Sequence, residues 1–244
     1  MKKSIISTAI AALVINAGFI TVAKASDWGY EGQHGPEHWG NIASECSAGR
    51  NQSPINISEP VQANLAALEV KYPGEVTEMA NNGHTLQAKV SGENILKVDG
   101  EEFRLLQFHF HTPSENQIKD ERFPLEAHFV HQNSQGDLAV LSVMYRLDTQ
   151  ANPQLASLLA SAPGAHKQVA LPTPVALSDM LPSTDGYYRF NGSLTTPPCS
   201  EGVRWYVMKE ASSLSPQQVA SFEHFMGHNN RPLQAIGARK VLQN

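Results

Sequence analysis

The run Gln107-Phe108-His109-Phe110-His111 sets two imidazoles one residue apart inside an alternating stretch. Side chains on a β-strand repeat every second residue, so His109 and His111 project from one face and offer two nitrogens to a common point. A third histidine stands in Leu125-Glu126-Ala127-His128-Phe129-Val130, a second alternating run able to pair beside the first. Three neutral imidazole nitrogens with one position left open form the donor set of a catalytic zinc site. Strand parity places Leu105, Gln107, His109 and His111 on one face, and Glu126, His128 and Val130 on one face. Gln107 and Glu126 are then the polar neighbours available to hold the second nitrogens of His109 and His128, the orienting contact that metal-bound histidines require.

Such a site needs a sheet, and the sequence supplies one. Between Leu68 and Gly100, short apolar runs are broken by Tyr72-Pro73-Gly74, Asn81-Asn82-Gly83, Ser91-Gly92-Glu93-Asn94 and Asp99-Gly100, the rhythm of hairpins and meanders. Leu138 to Tyr145 is almost continuously apolar, as a strand buried on both faces is, and belongs at the sheet centre. Asn152-Pro153 starts a short helix ending near Ala162, and Ser215-Pro216 caps a second reaching about Met226. A loop carrying Pro163, Pro172, Pro174 and Pro182 is expected between the first helix and the strand at Tyr187–Asn191, and Val203–Met208 forms a further strand. Residues 27–51 show no sustained period and read as an irregular segment packed over the core by Trp28, Tyr30 and Trp39. The fold class is mainly β (mixed α/β): a single domain with a large twisted, mostly antiparallel central sheet and a few short peripheral helices.

At 244 residues and 41% hydrophobic content, the chain suffices for one sizeable core. Met1-Lys2-Lys3, the apolar run from Ile5 to Val22 and Ala23-Lys24-Ala25 have the order of a signal peptide, with cleavage between Ala25 and Ser26. A retained membrane anchor is the competing reading. Cleavage leaves residues 26–244 as the domain, with 15 basic against 23 acidic residues and a net charge of −8. That balance argues against nucleic acid or an anionic membrane as partner. Cys46 and Cys199, far apart in a chain bound for an oxidising compartment, suggest one structural disulfide, with two buried free thiols as the alternative. In the chain-entropy picture so long a loop gives up to about 4–5 kcal/mol.

Further stretches stand in a recognisable order around the histidines. Trp28-Gly29-Tyr30, Gly35-Pro36-Glu37-His38-Trp39, Arg50-Asn51-Gln52-Ser53-Pro54-Ile55 and Asn81-Asn82-Gly83-His84 precede them; Leu138-Ala139-Val140-Leu141 and Gly192-Ser193-Leu194-Thr195-Thr196-Pro197-Pro198-Cys199 follow. With the histidine strands, these resemble the α-class carbonic anhydrases over essentially the whole mature chain. The short segment from His111 to Glu115 is similar to the bacterial periplasmic or secreted type, and Asn116 stands where a histidine often follows the glutamate.

The resemblance implies that His109, His111 and His128 hold Zn²⁺ with water or hydroxide as fourth ligand, and that carbon dioxide and bicarbonate are the substrate pair. It implies that Thr195 accepts the hydroxide's hydrogen bond and donates to Glu115. An ionised Glu115 only accepts, so Thr195 must donate to it, which leaves the threonine oxygen facing the hydroxide as an acceptor. It further implies an apolar substrate wall of Val130, Val140, Leu194, Val203 and Trp205 with Thr196 beside it, and His84 as proton shuttle. The same resemblance implies that Tyr30, Asn81 and Gln87 order the intervening water and that Cys46 pairs with Cys199, pinning the loop that carries Thr195. Two other readings stay open. His109-x-His111-x-x-x-Glu115 also fits the first metal motif of a cupin-like metalloenzyme, in which Glu115 is a ligand, and a non-catalytic zinc-binding protein of the same fold would keep the same triad. Oligomeric state is not legible.

Overall fold

The turn signals and alternating runs fold into one extended sheet in the computed structural model, which describes residues 28–244; the expected leader and its cleavage site lie outside the described residues. Eight strands position the site: β1 (Glu75–Asn81), β2 (Leu86–Val90), β3 (Glu101–His111), β4 (Leu125–Gln132), β5 (Leu138–Leu147), β6 (Lys167–Ala176), β7 (Tyr187–Ser193) and β8 (Glu201–Met208). They lie in the order β6-β1-β2-β3-β4-β5-β8-β7 within a sheet of 13 strands among the described residues. Most neighbours are antiparallel; β5 and β8 run parallel. As its composition requires, β5 lies between β4 and β8 with Ala139 to Tyr145 buried.

Two short helices flank the sheet, α1 (Pro153–Leu159) and α2 (Pro216–Met226). Asn152 caps α1 by accepting from Leu155 N, and Ser215 forms a capping box with Gln218 on α2. Helix α1 stops at Leu159, short of Ala162. Residues 27–51, expected to be irregular, contain short helical turns at Gly32–His34, Pro36–Asn41 and Glu45–Ala48. Trp39, Cys46 and Cys199 form a small cluster there, with Trp28 and Tyr30 packed against it.

Two expectations are corrected. The segment containing Pro172 and Pro174 is not a loop but strand β6, paired to β1 with a register shift between Ala170 and Val175. Proline removes a ladder donor, and β6 takes the edge position where that loss is tolerated. Leu105 does not share a face with His109 and His111: it packs in the main core with Phe103, Phe108 and Phe110. Opposite β4, Val130 pairs with Gln107 but His131 pairs with Leu105, so Leu106 is an extra residue, half exposed, in a β-bulge. The bulge reverses parity along β3. Before it the odd-numbered residues face the core; after it the even-numbered ones do, which frees Gln107, His109 and His111 for the opposite face.

Candidate metal centre

Pairing of β3 with β4 sets His128 directly opposite His109, with His111 one alternation further along the same face. Ring centroids are 5.0 Å apart for His109 and His111, 5.5 Å for His109 and His128, and 4.5 Å for His111 and His128. One nitrogen from each ring lies within 4.8 Å of the other two. Each ring also has an orienting partner. His109 Nδ1 is 2.9 Å from Gln107 Oε1, His111 Nδ1 is 2.8 Å from the backbone oxygen of Asn229, and His128 Nε2 is 2.9 Å from Glu126 Oε1. The last contact has ion-pair distance but lies off the line of a regular hydrogen bond.

These contacts leave the opposite nitrogens facing one another. His111 Nε2 is buried without a hydrogen-bond partner, as is Glu115 Oε2 3.5 Å from it. An unpaired buried nitrogen costs free energy unless something occupies its lone pair. Burial lowers the pKa of His109, with the neighbouring His111 and His128 adding to the effect, and burial likewise lowers that of His111 against the opposing pull of Asn229 and Glu126. Both rings are therefore held neutral, the form that binds a metal. Three converging imidazoles, with His109 and His111 held neutral and the His111 Nε2 lone pair orphaned, fit Zn²⁺.

Glu126 supports two elements at once. Burial works to raise its pKa, but the adjoining His128 and hydrogen bonds from Ser142 and Asn116 outweigh burial and hold it at about 2. Its Oε2 accepts from the backbone N–H groups of Glu115 and Asn116, fixing the turn that carries Glu115. Glu115 is fully buried and accepts from the backbone N–H of Arg231 at 2.8 Å. Burial pushes it up to about 7, against the lowering effect of His128, Arg231 and the Thr195 hydroxyl that hydrogen-bonds to it. The metal cluster is formed by the three histidines without Glu115.

Beside the triad, a cavity of about 150 Å³ is lined by Trp28, Tyr30, Asn82, His84, Thr85, Gln87, Gln107, His109, His111 and Thr196. His84 stacks flat on Trp28, with centroids 3.8 Å apart and planes at 7°. Tyr30 has its pKa raised by burial and by the Glu115 charge, so its hydroxyl stays protonated. Val130, Val140, Val203 and Trp205 are buried in one apolar cluster with Leu194 packed against it, and the Trp205 ring meets His128 edge-on at 4.9 Å. Cys46 and Cys199 form a disulfide.

One expected site residue is misplaced. Asn81 does not line the cavity; its amide donates to Pro163 O and Phe225 O and accepts from Gly83 N. The hairpin turn directs its neighbour Asn82 to the cavity instead, where Asn82 Oδ1 accepts from the backbone N–H groups of His84 and Thr85. Asn229 and Arg231 escape the sequence reading altogether, because they reach His111 and Glu115 through a backbone oxygen and a backbone nitrogen that every non-proline residue possesses.

Comparison with known proteins agrees with this geometry. The family model described as eukaryotic-type carbonic anhydrase matches residues 34–244. A carbonic anhydrase of Pectobacterium atrosepticum is 45% identical over 240 residues, covering 95% of this chain and 97% of that protein. The solved Photobacterium profundum alpha-carbonic anhydrase superposes with a TM-score of 0.87 at 52% identity, covering 88% of this chain and 99% of the other. The alpha-carbonic anhydrase of Thermovibrio ammonificans, solved with the inhibitor sulfanilamide, gives 0.85 at 43% identity, covering 88% and 98%. With a family match over most of its length and a histidine triad where the sheet presents it, the chain belongs to the eukaryotic-type, or α-class, carbonic anhydrase family.

Proposed function

We propose that the protein catalyses the zinc-dependent reversible hydration of carbon dioxide to bicarbonate and a proton, in the periplasm or outside the cell, as a single domain of residues 26–244 released from a leader of residues 1–25. The observation that carries the catalytic reading is the convergence of His109, His111 and His128 with the His111 Nε2 lone pair buried and unmet. The Cys46–Cys199 disulfide supports an oxidising compartment.

His109, His111 and His128 would hold Zn²⁺, which would supply Lewis acidity near neutral pH. Gln107, Glu126 and the Asn229 carbonyl fix the ring orientations, so the three nitrogens are presented without a conformational search. In its ionised form Glu115 accepts from Arg231 N and from the Thr195 hydroxyl. Thr195 has then spent its proton, and its oxygen presents a lone pair to accept from the attacking group and aim it. Val130, Val140, Leu194 and Val203 carry no side-chain donor and Trp205 spends its indole N–H on Ser193 O, which suits a small substrate without a dipole. Thr196 lines the cavity together with His84. His84 takes up the released proton and passes it to buffer, with Tyr30, Asn82 and Gln87 lining the intervening space.

The test is stopped-flow carbon dioxide hydration by oxidised protein of known zinc content, from pH 6 to 9, with His111→Ala as control. Zinc-dependent turnover rising through an ionisation near neutrality is expected, and loss of both zinc and turnover in the variant. Full zinc occupancy without turnover would instead identify a zinc-binding protein of this fold.

A further inference from the structure

The buried side chain of Asn229 joins the metal-ligand strand to the turn that bears His84. Its Oδ1 accepts from Thr112 N at 2.8 Å, while Nδ2 donates to Phe110 O at 2.9 Å and to His84 O at 3.0 Å. Thr112 and Phe110 are the two residues flanking His111, and the backbone oxygen of Asn229 itself accepts from His111 Nδ1. Two amide hydrogens and one amide oxygen are thus all engaged, in a site with no exposure. Thr85 Oγ1 donates to the same Phe110 oxygen at 2.6 Å, so the turn and the strand end meet in one connected network.

No other short side chain fills this role. Aspartate keeps the acceptor for Thr112 but loses the paired donors; leucine takes from Thr112 N its acceptor and from His84 O its donor, and leaves Phe110 O with Thr85 alone. The network holds the backbone of His84 against the backbone of His111, and transfer of a proton between the metal centre and His84 depends on that spacing. We propose that the Asn229 side chain is a positioning residue for proton transfer, setting the distance between the His84 turn and the His111 strand. The proposal rests on the hydration reading above, with His84 as the proton carrier.

The experiment measures kcat and kcat/KM for carbon dioxide hydration in zinc-loaded wild type, Asn229→Ala, Asn229→Asp, His84→Ala and the double variant Asn229→Ala/His84→Ala, in dilute buffer with and without imidazole. A smaller folded or metal-loaded fraction lowers kcat and kcat/KM by one factor and leaves KM unmoved, so their ratio isolates proton transfer from mere destabilisation. Asn229→Ala is expected to lower kcat in dilute buffer by roughly tenfold, in keeping with the cost of displacing a reacting group. The loss in kcat should exceed that in kcat/KM, and imidazole should recover it. In the double variant the effects should not multiply: kcat should match that of His84→Ala alone. Asn229→Asp should show the same pattern, because the donors to His84 and Phe110 are gone.

Multiplicative effects, or equal losses in kcat and kcat/KM, would overturn the proposal. So would failure of both Asn229 variants to give folded protein, which would make the residue a folding determinant. An unimpaired His84→Ala would overturn it too while leaving hydration itself standing, whereas absence of turnover in zinc-loaded wild type would sink the hydration reading first.

Discussion

The two faces of the β3–β4 pair are built from the same two strands and do opposite work. On one, Phe108, Phe110, Ala127 and Phe129 are fully buried in the main core, with Phe108 stacked on Phe129 at 4.7 Å and Phe110 against Phe222 of α2 at 4.8 Å. On the other, Gln107 holds His109, Glu126 lies against His128, and His111 is held by the Asn229 carbonyl. The first face stabilises by area and close packing, which tolerates small reorientations. The second is specific because each lone pair has one destination, and it contributes little net stability until that destination is filled. A rigid apolar backing allows the polar face to carry unmet nitrogens.

Deleting Leu106 should break this division most completely. Without the extra residue, parity would carry through β3 unreversed, sending either the histidines into the core or Phe103 and Leu105 out of it. Loss of folded, zinc-binding protein is expected, read by circular dichroism and metal content; a folded deletion variant with normal zinc would show that the bulge does not set the face. Next in size, Phe129→Ala should cost about 3–5 kcal/mol in denaturant unfolding while zinc affinity of the folded fraction holds. Gln107→Ala should show the converse, a zinc affinity roughly 10- to 100-fold weaker by competition with a chelator with little change in unfolding midpoint of the metal-free protein. Similar losses of both properties in both variants would mean that the faces are not separable.

A smaller effect comes from His131, on the core side of β4. It is fully buried, accepts from the Tyr72 hydroxyl and donates from Nδ1 to Ala139 O, and burial lowers its pKa to about 4 despite opposing backbone hydrogen bonds. A folded-state pKa below the unfolded value means that the unfolded chain takes up the proton first as pH falls. Stability from the neutral ring is complete above about pH 6.5 and is lost between there and pH 4, a contribution on the order of 3 kcal/mol. Glu126, held at about 2, adds a second loss beginning near its ordinary carboxylate range. Unfolding of metal-free protein from pH 7 to 4 should show a slope that His131→Phe flattens; an unchanged slope would remove His131 as its source.

What the sequence made legible follows from which atoms do the work. Alternation exposed the β character, and His109, His111, His128, Gln107 and Glu126 were identifiable because their side chains act. Leu106 gives no local sign of a bulge, since Arg104-Leu105-Leu106-Gln107 reads as continuous strand; only pairing with β4 reveals the extra residue. Asn81 and Asn82 are chemically identical neighbours, and the turn alone decides which one faces the cavity. Pro172 and Pro174 suggested a loop because proline disfavours a ladder, yet an edge has a side on which no ladder is needed.

The contact between His111 and the Asn229 carbonyl spans 118 positions, and it has a consequence for the order in which the site comes into being. A chain leaving a ribosome or a translocation pore presents its front end first. All three zinc ligands have emerged while the residues that steady His111 and Glu115 are still inside. A chain arrested before Asn229 therefore has all three histidines but lacks the carbonyl that orients His111, so the site is completed only near the end of synthesis.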